Sequence, residues 1–206
     1  MLWQYYVFRR GTAVSGMWDR FFHGRALNVL YIGGRGFDPR ARTTISTFVR
    51  SVTSSGAKVE AADLLLVGLA RYELDDELKA ATEENATFLR DTFSVLGPTV
   101  ELIMDARPEG EDELSTSNAL RNGVKAILER ITGRTDIILD VSSLPRVAYL
   151  AIMTGLLHRL VPDKTVPNAL AAGGVNLQVL LAEDSRLDSA IRSEDPSADL
   201  VSIPVS

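Results

Sequence analysis

Short apolar runs alternate with longer amphipathic stretches along most of this 206-residue chain. Leu27-Asn28-Val29-Leu30-Tyr31-Ile32 is one such run and Ile137-Ile138-Leu139-Asp140 another. Each is apolar at nearly every position rather than at every second one, as expected of a strand buried on both faces of a parallel sheet. The pattern predicts strands over 27–33, within 59–67, over 100–104, 136–141 and 177–182, and a last one near Leu200. Between them it predicts helices around Trp18 to His23, then over 39–53, 75–96, 117–131 and 145–160, with a short one over 185–192. Local chemistry agrees. Asp38 suits a helix cap and Pro39 a first turn. Asp75, Asp76 and Glu77 suit the positive end of a helix dipole, and Gly97-Pro98 ends that helix.

Strands separated by helices form crossover units, which are right-handed in nearly all cases and require parallel neighbours. The expected architecture is therefore an α/β three-layer sandwich with a mainly parallel sheet of about five to six strands, in the order 3-2-1-4-5. Residues 1–26 carry Trp3, Tyr5, Tyr6, Phe8, Trp18, Phe21 and Phe22, and read as an amino-terminal lead-in that covers a sheet edge or presents a partner-binding surface. Residues 27–206 show no repeat and no low-complexity linker, so they read as one domain. The chain stops inside the strand-like Leu200-Val201-Ser202-Ile203, as expected of one domain of a longer protein.

Composition narrows the function. Twenty-two basic residues against 27 acidic ones give a net charge of −5, which disfavours bulk binding to duplex nucleic acid or an anionic membrane. The absence of cysteine removes disulfides, thiolate metal sites and cysteine nucleophiles. His23 and His158 are too few and too far apart for a histidine-rich metal site, and no metal is expected. No apolar run reaches the roughly 18 to 20 residues needed to span a bilayer. The first ten residues lack the early positive charge and small-residue cleavage site of a signal peptide, so the expected location is cytoplasmic.

The chemistry concentrates where two apolar runs end. The first runs into Gly33-Gly34-Arg35-Gly36-Phe37-Asp38-Pro39-Arg40, and Arg42 lies just beyond. Glycines let a backbone approach a phosphate closely, and arginine binds phosphate through two parallel hydrogen bonds. The spacing matches neither the dinucleotide fingerprint G-x-G-x-x-G nor the G-x-x-x-x-G-K-[ST] loop. A purely structural alternative is a tight turn in which Asp38 caps the helix and pairs with Arg40. The second run continues as Asp140-Val141-Ser142-Ser143-Leu144-Pro145-Arg146, which sets two hydroxyls and a guanidinium at a helix start. The helix that follows is apolar almost all round until His158-Arg159, so burial on most of its sides is expected, under a second copy or other parts of a larger protein.

That second loop resembles the strand-four motif of CARF (CRISPR-associated Rossmann fold) domains, in which an acid or amide, an apolar residue, a hydroxyl residue, a small residue and a terminal base follow the strand. The family also binds through the loop after strand one. The resemblance implies a Rossmann-like sheet with strands one and four adjacent, a cyclic oligoadenylate ligand held across a homodimer, and a role in antiviral defence signalling. It carries ligand contact onto Ser142, Ser143 and Arg146 and makes Asp140 a loop organiser. It departs at Leu144-Pro145, where the family has glycine and a hydroxyl residue, and in the arginine-rich first loop.

The resulting expectation is a nucleotide-binding sensor or regulatory domain for a cyclic oligonucleotide or other phosphate-bearing ligand. Its site comprises Gly33, Gly34, Arg35, Gly36, Asp38, Arg40, Asp140, Ser142, Ser143 and Arg146. Its expected partners are that nucleotide and a second copy or an attached effector domain. One alternative is a Rossmann-like enzyme. A class I S-adenosylmethionine methyltransferase would take Asp63 or Glu60 as its ribose acid, and a hydrolase of nucleotides or glycosidic bonds would use Asp38, Asp140 or Glu183. Another is a protein-interaction scaffold. The acids Asp105, Glu109, Glu111, Asp112 and Glu113 read mainly as a solvated loop, with magnesium binding the minor alternative. Glu73, Asp75, Asp76 and Glu183-Asp184 are further carboxylates expected near the same sheet edge.

Overall fold

The computed structural model describes residues 7–70, 74–104, 113–161 and 175–183, those from 113 to 117 by backbone alone. Among these residues five strands, β1 (Ala26–Gly34), β2 (Lys58–Leu69), β3 (Thr99–Met104), β4 (Asp136–Asp140) and β5 (Asn176–Leu180), form one sheet in the order β3-β2-β1-β4-β5. Every pairing is parallel. This is the α/β sandwich and strand order that the apolar runs predict. The most apolar strand, β1, lies at the centre, where both its faces and both its edges are covered. Leu27, Val29, Leu30, Tyr31 and Ile32 are all at most 1% exposed.

Among the described residues, five helices fill the two outer layers: α1 (Thr12–Phe22), α2 (Arg40–Ser54), α3 (Asp76–Phe93), α4 (Glu113–Glu129) and α5 (Arg146–Leu160). Alternation along the strands sorts the core in two. Leu27, Val29 and Tyr31 meet α1, α2 and α3 through Trp18, Phe22, Ile45, Phe48, Leu89 and Phe93. Leu30 and Ile32 face the other way, toward Ile127 of α4, Ile131 just after that helix, and Ile152 and Leu156 of α5. Each fully buried side chain of this size contributes about 1.5 to 3 kcal/mol, so the two layers are the main source of stability.

Helix boundaries differ from expectation in instructive ways. Asp75 is the cap of α3 rather than a first-turn residue: its side chain accepts from the Leu78 N–H at 2.8 Å. Helix α1 starts well before Trp18, after Gly11 at φ 56°. It is integral to the domain, because Trp18 and Phe22 pack on Phe48 in the main core and Trp18 Nε1 donates to Gln178 Oε1 of β5 at 2.6 Å. Within a single copy of the chain, helix α5 is covered on one side. It buries the single stripe Ala148, Ile152 and Leu156, while Val147 and Leu157 are 49% and 44% exposed. The regions predicted as a helix over 185–192 and a strand near Leu200 lie outside the described residues.

Candidate functional site

Because β1 sits between β2 and β4, the crossovers leave it in opposite directions. The chain runs outward through β2 and β3 on one side and through β4 and β5 on the other. In an open parallel sheet this reversal point is where the loops at the carboxyl ends of the strands part and a ligand crevice forms. The loops after β1 and β4 are those loops, and the structure brings them into contact. Ser143 Oγ donates to the Gly34 carbonyl at 2.9 Å. A Cβ on Gly34 would lie 2.2 Å from the Ser143 carbonyl oxygen, and one on Gly36 2.6 Å from it. Both positions therefore require glycine for close backbone approach, whether or not a phosphate is involved.

Beneath the loops lies a buried polar cluster. Asp140, 2% exposed at the end of β4, turns inward. Its Oδ2 accepts from the Tyr31 hydroxyl of β1 at 2.8 Å and from the Thr44 hydroxyl of α2, and its Oδ1 accepts from the Ser142 N–H at 2.9 Å. Burial pushes the Asp140 carboxyl above its ordinary value, against the opposing pull of the Ser142, Thr44 and Tyr31 hydrogen bonds. Burial, then the negative charge of Asp140, pushes the Tyr31 phenol well above its own. Ser142 Oγ accepts from the Ala182 N–H at 3.0 Å, which ties the same loop to the chain leaving β5. Leu144, 5% exposed, packs with Ile152 and Leu156 of α5 in the second core and so pins the loop to that layer.

The arginines are divided. Arg35 turns toward β3 and α3: its guanidinium pairs with Glu83, and its Nε lies 3.4 Å from Glu101 Oε2, an ionic contact without hydrogen-bond geometry. Arg40 pairs with Asp38, Nε to Oδ2 at 2.8 Å, while the Arg40 N–H donates to Asp38 Oδ1 at 2.9 Å. The ion pair of the tight-turn alternative is thus present, but Asp38 is not the cap: the cap position of α2 is Pro39, which has no capping side chain, and the helix begins at Arg40. Arg42 reaches α3, with Nε 2.5 Å from Asn85 Oδ1 and a terminal nitrogen 3.1 Å from Glu84 Oε1. Arg146 stands apart at the first turn of α5, exposed and with no ion pair among the described residues. Two of the three arginines of the site, Arg35 and Arg40, are paired with acids of the chain, and the third, Arg146, is exposed. An anion approaching Arg35 or Arg40 competes with a carboxylate already in place.

Sequence reasoning missed three members of this arrangement. Asn85, 1% exposed, donates from Nδ2 to the Gly36 carbonyl at 3.0 Å and so clamps the first loop from α3. Thr44 and Tyr31 complete the Asp140 cluster. The usable signal for Tyr31 was a phenol inside an otherwise apolar strand, which needs a buried partner.

Of the other carboxylates, Asp63 lies midway along β2 and pairs with Arg134 at the amino-terminal side of the sheet, where Arg134 also donates to Asn28 Oδ1 at 2.9 Å. Glu60 pairs with Lys58 at 3.3 Å near the start of the same strand. Neither is placed to hold a ribose at the carboxyl edge. Glu183 forms an exposed ion pair with Arg10 at 2.5 Å. Glu73, Asp184 and the acidic stretch from Asp105 to Asp112 lie outside the described residues, and Glu113 begins α4. Among the described residues no group of three or more histidines or carboxylates is arranged to hold a metal ion. No helix among them is long and apolar enough to cross a membrane.

Sheet order, parallel pairing and two helical layers define a Rossmann-like α/β sandwich with its candidate site at the β1–β4 reversal point. No family model, curated protein or solved structure matches this chain.

Proposed function

We propose that the chain is a nucleotide-binding sensor or regulatory domain, with a cyclic oligonucleotide or another phosphate-bearing molecule bound over the loops after β1 and β4. The observation that carries this reading is the start of α5 at the reversal point. Pro145 precedes the helix without a capping side chain, so the first-turn N–H groups lack a side-chain cap, and Arg146 stands exposed beside them. Uncapped N–H groups, the positive end of a helix dipole and an arginine are together suited to a phosphate. The arginines of the first loop support the reading less, because Asp38, Glu83 and Glu101 already offset them. The resemblance of Asp140 to Arg146 to the CARF strand-four motif favours a cyclic oligoadenylate, held between two copies, over a mononucleotide.

Binding would act on a partner or an attached domain rather than lead to turnover. A ligand shifts a receiver only by its differential affinity for two states, and α5 runs from the loop to an exposed apolar face at Val147 and Leu157. The test is titration calorimetry with cyclic oligoadenylates, ATP, NAD and S-adenosylmethionine, with chromatography of each mixture afterwards. The expected result is binding of a phosphate-bearing ligand that returns unchanged. Absence of binding by all four, or robust turnover lost on Asp140→Asn, overturns the proposal.

A further inference from the structure

The Thr44 hydroxyl has one proton and two acceptors. It lies 2.9 Å from the Ala41 carbonyl of its own helix and also within hydrogen-bond reach of Asp140 Oδ2, and it can donate to only one at a time. Ser142 N–H meets the other carboxyl oxygen, so that contact survives whichever way the Thr44 hydroxyl points. We infer that Asp140 and Thr44 form a proton-operated hydrogen-bond switch between β4 and the first turn of α2. With Asp140 ionised, the Thr44 hydroxyl donates to the carboxylate. When a proton from solvent settles on Asp140 Oδ2, that oxygen becomes the donor to Thr44 Oγ1, and the Thr44 hydroxyl turns onto the Ala41 carbonyl. Each state leaves both groups satisfied with no heavy atom displaced, which a buried polar cluster otherwise seldom allows.

The surroundings suit such a role. From β1 the group facing Asp140 is Tyr31, whose raised ionisation keeps it a phenol and a donor. From α2 it is Thr44, and the nearby charges at the start of that helix, Arg40 and Asp38, are paired with each other. From its own loop it is Ser142, and beyond β5 the Glu183 carboxylate is paired with Arg10. At the start of α5 the charged group is Arg146, exposed. Burial favours the neutral form of Asp140, so the switch operates at higher pH than a solvated aspartate would allow. What changes in the first turn of α2 is the hydrogen bond at the Ala41 carbonyl, made by the Thr44 hydroxyl only when Asp140 is protonated.

The inference concerns the protein alone and stands or falls without a ligand, so its failure is distinct from failure of the proposed function. Uniformly labelled protein is followed by NMR across acid to neutral pH, reading the Asp140 carboxyl carbon, the Ser142 amide and the Ala41 carbonyl carbon. All three should titrate with one midpoint while the remaining spectrum stays folded. In Thr44→Val the Asp140 and Ser142 signals should still titrate while the Ala41 response disappears, and Thr44→Ser should restore it. An Ala41 carbonyl that stays constant while Asp140 titrates, or an Asp140 signal that moves only with global unfolding, overturns the switch. Should Thr44→Val not fold, the wild-type and Thr44→Ser titrations still decide between these outcomes.

Discussion

Gly34→Ala is the substitution with the clearest expected cost. The new Cβ would sit 2.2 Å from the Ser143 carbonyl oxygen, 2.4 Å from its carbon and 2.7 Å from the Leu144 nitrogen. All three are backbone atoms, so no flexible side chain can swing away. The loops after β1 and β4 must separate by an ångström or more. That displacement also stretches the 2.9 Å bond from Ser143 Oγ to the Gly34 carbonyl. Overpacking of a close-packed site costs about 1 to 3 kcal/mol, and the lost hydrogen bond about 0.5 to 1.5. The expected destabilisation is therefore roughly 1.5 to 4.5 kcal/mol, a fall in Tm on the order of 10 °C for a domain of this size. Gly16→Ala is the matched control, because Gly16 lies inside α1 with nothing within 4 Å of a Cβ. Alanine there should stabilise by about 0.5 to 1 kcal/mol. Urea unfolding of the two variants beside wild type decides the matter. A Gly34→Ala protein within about 0.5 kcal/mol of wild type would refute the contact between the two loops.

Three further outcomes are expected. Arg146→Ala should leave stability within about 0.5 kcal/mol of wild type, since the side chain is exposed. It should weaken binding of an anionic ligand by roughly 1.5 to 3 kcal/mol by calorimetry, and unchanged affinity would remove Arg146 from the site. Asn85→Ala should release the clamp on the Gly36 carbonyl and cost about 1 to 3 kcal/mol in chemical denaturation, because a buried acceptor loses its donor. The last concerns pH. Asp140 has a folded-state pKa raised above the ordinary 3.8, so its contribution to stability is fully present below that value and is lost as pH rises through the folded pKa. Urea midpoints of Asp140→Asn measured across that window should lack this slope, and a slope equal to wild type would show that Asp140 does not titrate there.

The fold was legible because the strands carry it locally. Runs such as 27–32 and 137–139 are apolar on both faces, and helix signals such as Asp75 and Gly97-Pro98 lie within a few residues of the ends they mark. The site was legible in position but not in orientation. Asp140 reads as a polar residue at a strand end, and nothing within its own segment says that it points inward to Tyr31 and Thr44. Arg35 reads as a free base in a glycine loop because its acid, Glu83, is 48 residues away in sequence. Asp38 with Arg40 was readable, being two residues apart. Arg35 and Arg40 both pointed toward an anionic ligand, yet each pairs with an acid of the chain itself. For α1, the glycines at 11 and 16 obscured a helix whose aromatic face alone was visible.

The central position of β1 also bears on how the chain reaches its fold. Its hydrogen bonds to β2 can form as soon as α2 and β2 exist, but Asn28 meets Thr135, 107 positions further along the chain. At roughly 5 to 20 residues per second on the ribosome, the β4 side of β1 stays unpaired for about 5 to 20 s. Once β3 is made, the half-sheet β3-β2-β1 presents its most apolar strand as an open edge until β4 arrives, the feature that invites strand pairing with another chain. Synthesis that stalls or terminates after β3 should therefore yield aggregates rather than a soluble half-domain, which makes the arrival of β4 the step that closes the sheet.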